Sequence, residues 1–210
     1  VSGPVLQRIN QAARALTDTT LQDQPCRIPH PMTPAPLSDD PNGRHRDPVT
    51  GAVTEEAMLH FLEAVLGMAE PVGPQVGMLC LGIDGLDGIT ARHGIAVRDA
   101  ALLGVADRLN ERIRVQDLVG RVDSGFGICL ADIFPAQAVA AAERLLRSIR
   151  ATPVPTPIGA LALTCSVGLV LSRGGEEQAP ALLERARDLR EAARRAGGDG
   201  LVTSFAGGPG

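Results

Sequence analysis

Arg114-Val115-Gln116-Asp117 is the stretch of this sequence with the clearest capacity for recognition chemistry. A guanidinium fork donates in pairs to a phosphate or another flat acceptor group, and a carboxylate three residues on accepts from N–H donors. The same residues have a plainer reading. Arg108, Arg112 and Arg114 crowd one helix end, where a cation also suits the helix macrodipole. A few residues further on comes Asp123-Ser124-Gly125-Phe126-Gly127, flanked by Gly120-Arg121-Val122 and Ile128-Cys129-Leu130. Apolar strand, short turn and apolar strand predict a β-hairpin with Ser124-Gly125 at its tip.

Other chemistries find little material. Cys26, Cys80, Cys129 and Cys165 have no CxxC spacing, and three of them lie in apolar runs, so they are expected as buried small side chains. His30, His45, His60 and His93 are scattered and make no ligand set, so no metal and no cofactor is expected. A net charge of −4 gives no basic field for nucleic acid. No apolar stretch of membrane-spanning length and no signal-peptide pattern is present, which predicts a cytoplasmic protein. With aromatics at 2% and neither Trp nor Tyr, the core must be built from Leu, Val, Ile and Ala.

The elements that would position these residues divide the 210-residue chain unevenly. Residues 1–46 hold a short helix with an apolar stripe (Val5, Leu6, Ile9, Ala12, Ala13, Leu16), then Gln24–Arg46. That second stretch carries Pro25, Pro29, Pro31, Pro34, Pro36 and Pro41, a density that excludes helix and central strand and predicts a linker. From Asp47 the pattern is α/β: a helix over 54–68, a buried strand over 76–83, a short helix over 86–93 and a long one over 97–113. The hairpin 118–131, an Ala-rich helix over 135–150, a long strand over 161–171, a charged helix over 180–196 and a strand over 200–203 follow. This order predicts a mixed sheet with helices on its faces over residues 47–206, and a frayed tail over 207–210.

Taken together, residues 47–205 resemble a GGDEF domain, the fold of the diguanylate cyclases. Asp47-Pro48-Val49-Thr50-Gly51 is similar to the family's Asp-x-Leu-Thr-Gly opening, and Leu81-Gly82-Ile83-Asp84-Gly85-Leu86 to its Asp-Ile-Asp-x-Phe strand. Gly94 and Asp99 fall on the Gly-His-x-x-Gly-Asp stretch, and Thr164-Cys165-Ser166-Val167-Gly168 on the Ser-Ile-Gly strand. Leu182-Leu183-Glu184-Arg185-Ala186, Ala193-Arg194 and Gly197-x-Asp199 resemble the start and end of the last helix. The pentapeptide 123–127 stands where the family carries Gly-Gly-Asp/Glu-Glu-Phe.

The resemblance implies a nucleotide-cyclase-like fold whose catalytic chemistry has been removed. The family's two metal-holding carboxylates fall on Gly82 and Gly125, and Mg²⁺ needs hard oxygen ligands. Its guanine-contacting Asn falls on Thr90, and a Lys falls on Asp87. Asp84, Asp99 and Arg194 remain as residues of the old substrate groove. Arg114 and Asp117 match the family's Arg-x-x-Asp inhibitory site, which binds cyclic di-GMP, with Arg144 and Arg147 as further ligands from the following helix. The pair is expected at the surface. The expected function is that of a non-catalytic cyclic di-GMP receptor, acting by dimerisation or by docking on a protein partner. A nucleotide-independent interaction module is the alternative, and a residual cyclase or GTP-binding groove a third reading.

Overall fold

A computed structural model describes residues 45–70, 72–172 and 177–205. The helix expected near the start of the chain, nearly all of the proline-rich segment and the tail lie outside the described residues. Five helices are described: α1 (Glu55–Met68), α2 (Leu86–His93), α3 (Ile95–Asn110), α4 (Pro135–Ala151) and α5 (Ala179–Arg195). The strands are β1 (Gln75–Ile83), β2 (Leu118–Val122), β3 (Gly125–Ile133), β4 (Val154–Thr156), β5 (Gly159–Leu161), β6 (Cys165–Ser172) and β7 (Gly200–Phe205). No described helix is long and apolar enough to cross a membrane.

The main sheet has the order β2-β3-β1-β6-β7, antiparallel throughout except for the parallel β6–β7 pair. Strand side chains alternate between faces, so β1 feeds two cores. Leu79, Leu81 and Ile83 join α3 and α4 on one side, while Val76, Met78 and Cys80 join α1 and α5 on the other. Glycines set how closely the second layer approaches. A Cβ at Gly168 would lie 2.2 Å from the Ala186 carbonyl oxygen, and one at Gly127 would lie 2.5 Å from Met58 Sδ. Met58 and the backbone of α5 thus occupy the volume that side chains would need.

Local chemistry accounts for the element ends. Thr54 caps α1, its Oγ1 accepting from Ala57 N, with Glu55 and Glu56 in the first turn where carboxylates favour the helix dipole. The Asp47–Gly51 loop closes on itself: Asp47 Oδ1 accepts from Thr50 N at 2.8 Å and from Thr50 Oγ1 at 2.6 Å. It also faces Arg121 Nε at 3.7 Å, which fixes the loop against the hairpin. His45 and Arg46 already belong to this unit, through a Thr54 N–His45 O bond and the Arg46–Val53 bridge.

Three sequence expectations are corrected. The strand expected over 161–171 is two elements, because β4 and β5 form a small hairpin closed by Thr156 Oγ1 donating to the Gly159 carbonyl. The chain then leaves β5 and re-enters the main sheet only at Cys165. The helix expected to reach Ile113 ends at Asn110, where Arg112 N bonds the Leu109 carbonyl in a tightened turn, although Ile113 still packs on the core. The hairpin tip is Asp123-Ser124, not Ser124-Gly125, since Val122 pairs with Gly125. Asp123 takes the positive φ of 49°, a conformation Asp tolerates in turns, and Gly125 becomes the first residue of β3.

Candidate functional site

Two surface features carry the residues singled out in the sequence. The first is a cleft of about 460 Å³ between the end of β1, the start of α2, the hairpin tip and α5, lined by Gly82, Asp84, Asp87, Ser124, Arg190 and Arg194 among others. The second is the corner where α3 runs into β2 beside α4.

In the cleft, the groups that could take part in chemistry are engaged with one another. Asp84 accepts from Ser166 Oγ at 2.6 Å through one oxygen and from Asp199 N at 2.8 Å through the other. Arg190 reaches across Gly82: a Cβ there would meet Arg190 Cδ at 3.2 Å. Its Nη1 lies 3.3 Å from both Asp123 Oδ2 and Cys80 Sγ. Burial pushes the Cys80 thiol up to about 11, even with Arg190 beside it, so it stays neutral. Asp123 is also bonded by Arg187, which reaches Glu55 and Glu184 as well and so ties hairpin, α1 and α5 together. Arg194 is exposed and pairs with Glu191, whose carboxyl is held below its usual range by that bond.

Gly125 is closed to any side chain. An added Cβ would fall 2.0 Å from the Leu81 carbonyl oxygen and 3.1 Å from Gly82 Cα. Phe126, next in line, is fully buried, and Arg121 stacks over its ring at 5.2 Å while donating to the Gly125 carbonyl. Thr90 donates to the Leu86 carbonyl within its own helix. Asp99 is not part of the cleft lining, and Arg98 holds its Oδ1 from Nε and Nη2 at 2.9 and 2.8 Å.

At the corner the expectation of a fully surface-exposed pair fails for one partner. Arg114 is exposed, but Asp117 is buried, at 8% exposure. Its Oδ2 accepts from Arg114 N at 3.0 Å and its Oδ1 from Ala131 N at 3.3 Å, so the carboxylate closes the Arg114–Asp117 turn and pins it to β3. Burial raises its pKa, against those two bonds and the fields of Arg114 and Arg144. Arg144 comes in from α4, its Nη2 donating to the Arg112 carbonyl at 3.2 Å, and Arg147 lies exposed one turn further on.

The two places differ in how their cations are spent. Arg187, Arg190 and Arg194 around the cleft all have carboxylate partners within 4.0 Å. Among the described residues none of Arg112, Arg114, Arg144 and Arg147 has one. Arg114 and Arg144 instead lie in the field of the buried Asp117 without pairing to it directly.

The order of strands, the β2–β3 hairpin at one edge of the sheet and the cleft beside its tip agree with the sequence comparisons. A profile described as "Diguanylate cyclase, GGDEF domain" matches residues 44–200. The chain belongs to the GGDEF family. Among solved structures the domain is similar to the diguanylate cyclase SiaD in complex with its activator SiaC from Pseudomonas aeruginosa, at 27% identity and TM-score 0.70. That alignment covers 76% of this chain and 61% of SiaD, so the chain spans less than two thirds of that relative. The GGDEF domain of TpbB (YfiN) from the same organism shares the fold at 24% identity, covering 76% of this chain and 94% of that one, TM-score 0.71. So does the GGDEF domain of DgcB from Caulobacter crescentus in complex with c-di-GMP, at 18% identity, 80% and 98% coverage and TM-score 0.71. A search of curated proteins returned no match.

Sequence reasoning missed Arg187 and Arg190, the residues that fill the space around the GGDEF loop. Their spacing on the charged face of α5 places them one turn apart on one side of the helix, which was the available signal. Arg112 was read only as part of a charged helix end.

Proposed function

We propose that this GGDEF domain is a non-catalytic receptor for cyclic di-GMP, with the ligand held by Arg114, Arg144 and Arg147. The observation that carries the reading is that Arg114 and Arg144, from two different elements, both lie close to the Asp117 turn with no ion pair of their own among the described residues. Such forks suit a ligand with two phosphates and two guanine edges. Non-catalysis is supported by Gly82 and Gly125, which carry no carboxylate, and by the lack of room for a side chain at Gly125. In this reading Asp117 closes and orients the Arg114 turn in addition to its place in the ligand site. Ligand binding would signal by joining two copies or by fixing the domain on a protein partner, with the segment before His45 as the tether.

One observation favours a second reading, a nucleotide-independent docking module: the Asp117 carboxylate has a structural role of its own, closing the turn and pinning it to β3. Titration calorimetry of the purified chain with cyclic di-GMP and, separately, with GTP and Mg²⁺ decides between them. Heat with cyclic di-GMP and none with GTP is the expected result. Silence with both ligands leaves the docking module, and cyclic di-GMP formed from GTP would overturn non-catalysis.

A further inference from the structure

The end of the main sheet away from the cleft gathers exposed apolar side chains. Register brings the start of β1 beside the ends of β3 and β6, the start of β2 towards the end of β3, and the end of β7 beside that of β6. Along this end stand Val115 before β2, Phe134 after β3, Val72 before β1 and Phe205 closing β7, each between 42% and 86% exposed. The chain has only four phenylalanines. Phe61 and Phe126 are core residues, and the other two both face solvent on this one row. Apolar residues scattered singly over a surface need no explanation, whereas a row of them marks a contact surface.

The row has a length and a charge to match. Five strands about 4.8 Å apart make it roughly 19 Å from β2 to β7. Residues 4–16, outside the described residues, carry Val5, Leu6, Ile9, Ala12, Ala13 and Leu16 at helical spacing, and a helix of that length measures about 20 Å. This segment holds Arg8 and Arg14 and no acid. Near the row, Glu70 comes two residues before Val72 and Asp132 two before Phe134, and neither has an ion-pair partner among the described residues. Arg114 marks the Val115 end.

We propose that residues 4–16 seat their apolar stripe on this row, so that the arm covers the end of its own sheet. Residues 17–44 join the two, and extended at about 3.1 Å per residue they reach roughly 85 Å, against a domain diameter of roughly 40 Å. A segment tethered in this way is present at about millimolar effective concentration, which favours it over a second copy. The proposal is independent of nucleotide binding.

Hydrogen exchange of the full chain, read by mass spectrometry, tests it. A free helix this short is marginal in water, so slow exchange over residues 5–16 reports docking. The expected result is exchange slowed about tenfold or more in wild type, returning to the free-chain rate in Val72→Ser, in Phe134→Ser and in Ile9→Asp. Melting temperature is the folding control, since Val72 and Phe134 are exposed and Ser is a good N-cap at 134, where α4 begins. Free-chain rates in wild type overturn the proposal. Protection that persists in both Val72→Ser and Phe134→Ser overturns it too, by putting the segment elsewhere. Protection that fades on dilution, with a dimer mass by light scattering, assigns the row to a second copy instead.

Discussion

Replacing Gly125 by alanine is the smallest change that asks whether the GGDEF loop can ever carry its acidic residue here. The new methyl carbon would start 2.0 Å from the Leu81 carbonyl oxygen and 3.1 Å from Gly82 Cα, both backbone atoms of the central strand. Even close carbon–oxygen contacts in sheets lie at about 3.3 Å, so the strands would have to part by more than an ångström. No side chain can rotate away to relieve this. Overpacking of this kind costs about 1–3 kcal/mol, and a backbone-on-backbone clash belongs at the upper end. For a domain of this size each kcal/mol shifts the melting temperature by roughly 2–4 °C, so a fall of about 6–12 °C is expected by circular dichroism. Gly88→Ala in α2 is the control: nothing lies within 4 Å of its Cβ position, and the gain in helix propensity should raise stability by about 0.5–1 kcal/mol. If Gly125→Ala melts with wild type while Gly88→Ala behaves as expected, the steric argument is refuted. If the fall is seen, Gly125→Glu is a disruptive change and not a restoration.

Asp117→Ala should lower stability by about 1–3 kcal/mol in urea unfolding, because Ala131 N in the buried strand loses its carboxylate acceptor. The same carboxyl gives a pH signature. Its folded pKa is raised by burial, so the stability it contributes is complete below the unfolded aspartate value and is lost as pH rises through the folded one. Wild type should therefore lose ground to Asp117→Asn across that window, and parallel unfolding midpoints would contradict the assignment. Arg114→Ala and Arg144→Ala should each weaken cyclic di-GMP binding by roughly tenfold to a hundredfold, with melting temperature unchanged for the exposed Arg114. Unaltered calorimetric affinity in both variants would move the ligand away from this corner.

The sheet and its helices were legible because their residues alternate or recur with clear periods. Val76 to Ile83 is apolar on both faces, and Leu182, Leu183 and Ala186 mark the buried side of α5. The β4–β5 hairpin was not, since three-residue strands carrying Pro155 and turning at Gly159 leave too few positions for a period to show. At the cleft, the lack of a side chain at Gly82 and Gly125 could be read directly. What filled the space could not, because Arg187 and Arg190 meet Asp123 across more than sixty residues of chain. Asp117 shows a similar limit: the spacing 114–117 locates a turn, but only the fold shows that Ala131 N waits behind it.

The mooring of the last strand has a mechanical consequence. β7 is a sheet edge with a single neighbouring strand, the kind of element that frays first. Its leading end is held by Asp84, which bonds Asp199 N, and by Arg150, whose Nε reaches Asp199 Oδ1 at 2.7 Å and whose Nη2 reaches the Asp199 carbonyl at 3.0 Å. Arg150 sits on the same helix as Arg144 and Arg147. A load applied to α4 at its arginine face is therefore resisted at the Arg150–Asp199 contact, which holds the leading end of the outermost strand. Amide exchange along β7 becomes a strain gauge for whatever grips that helix.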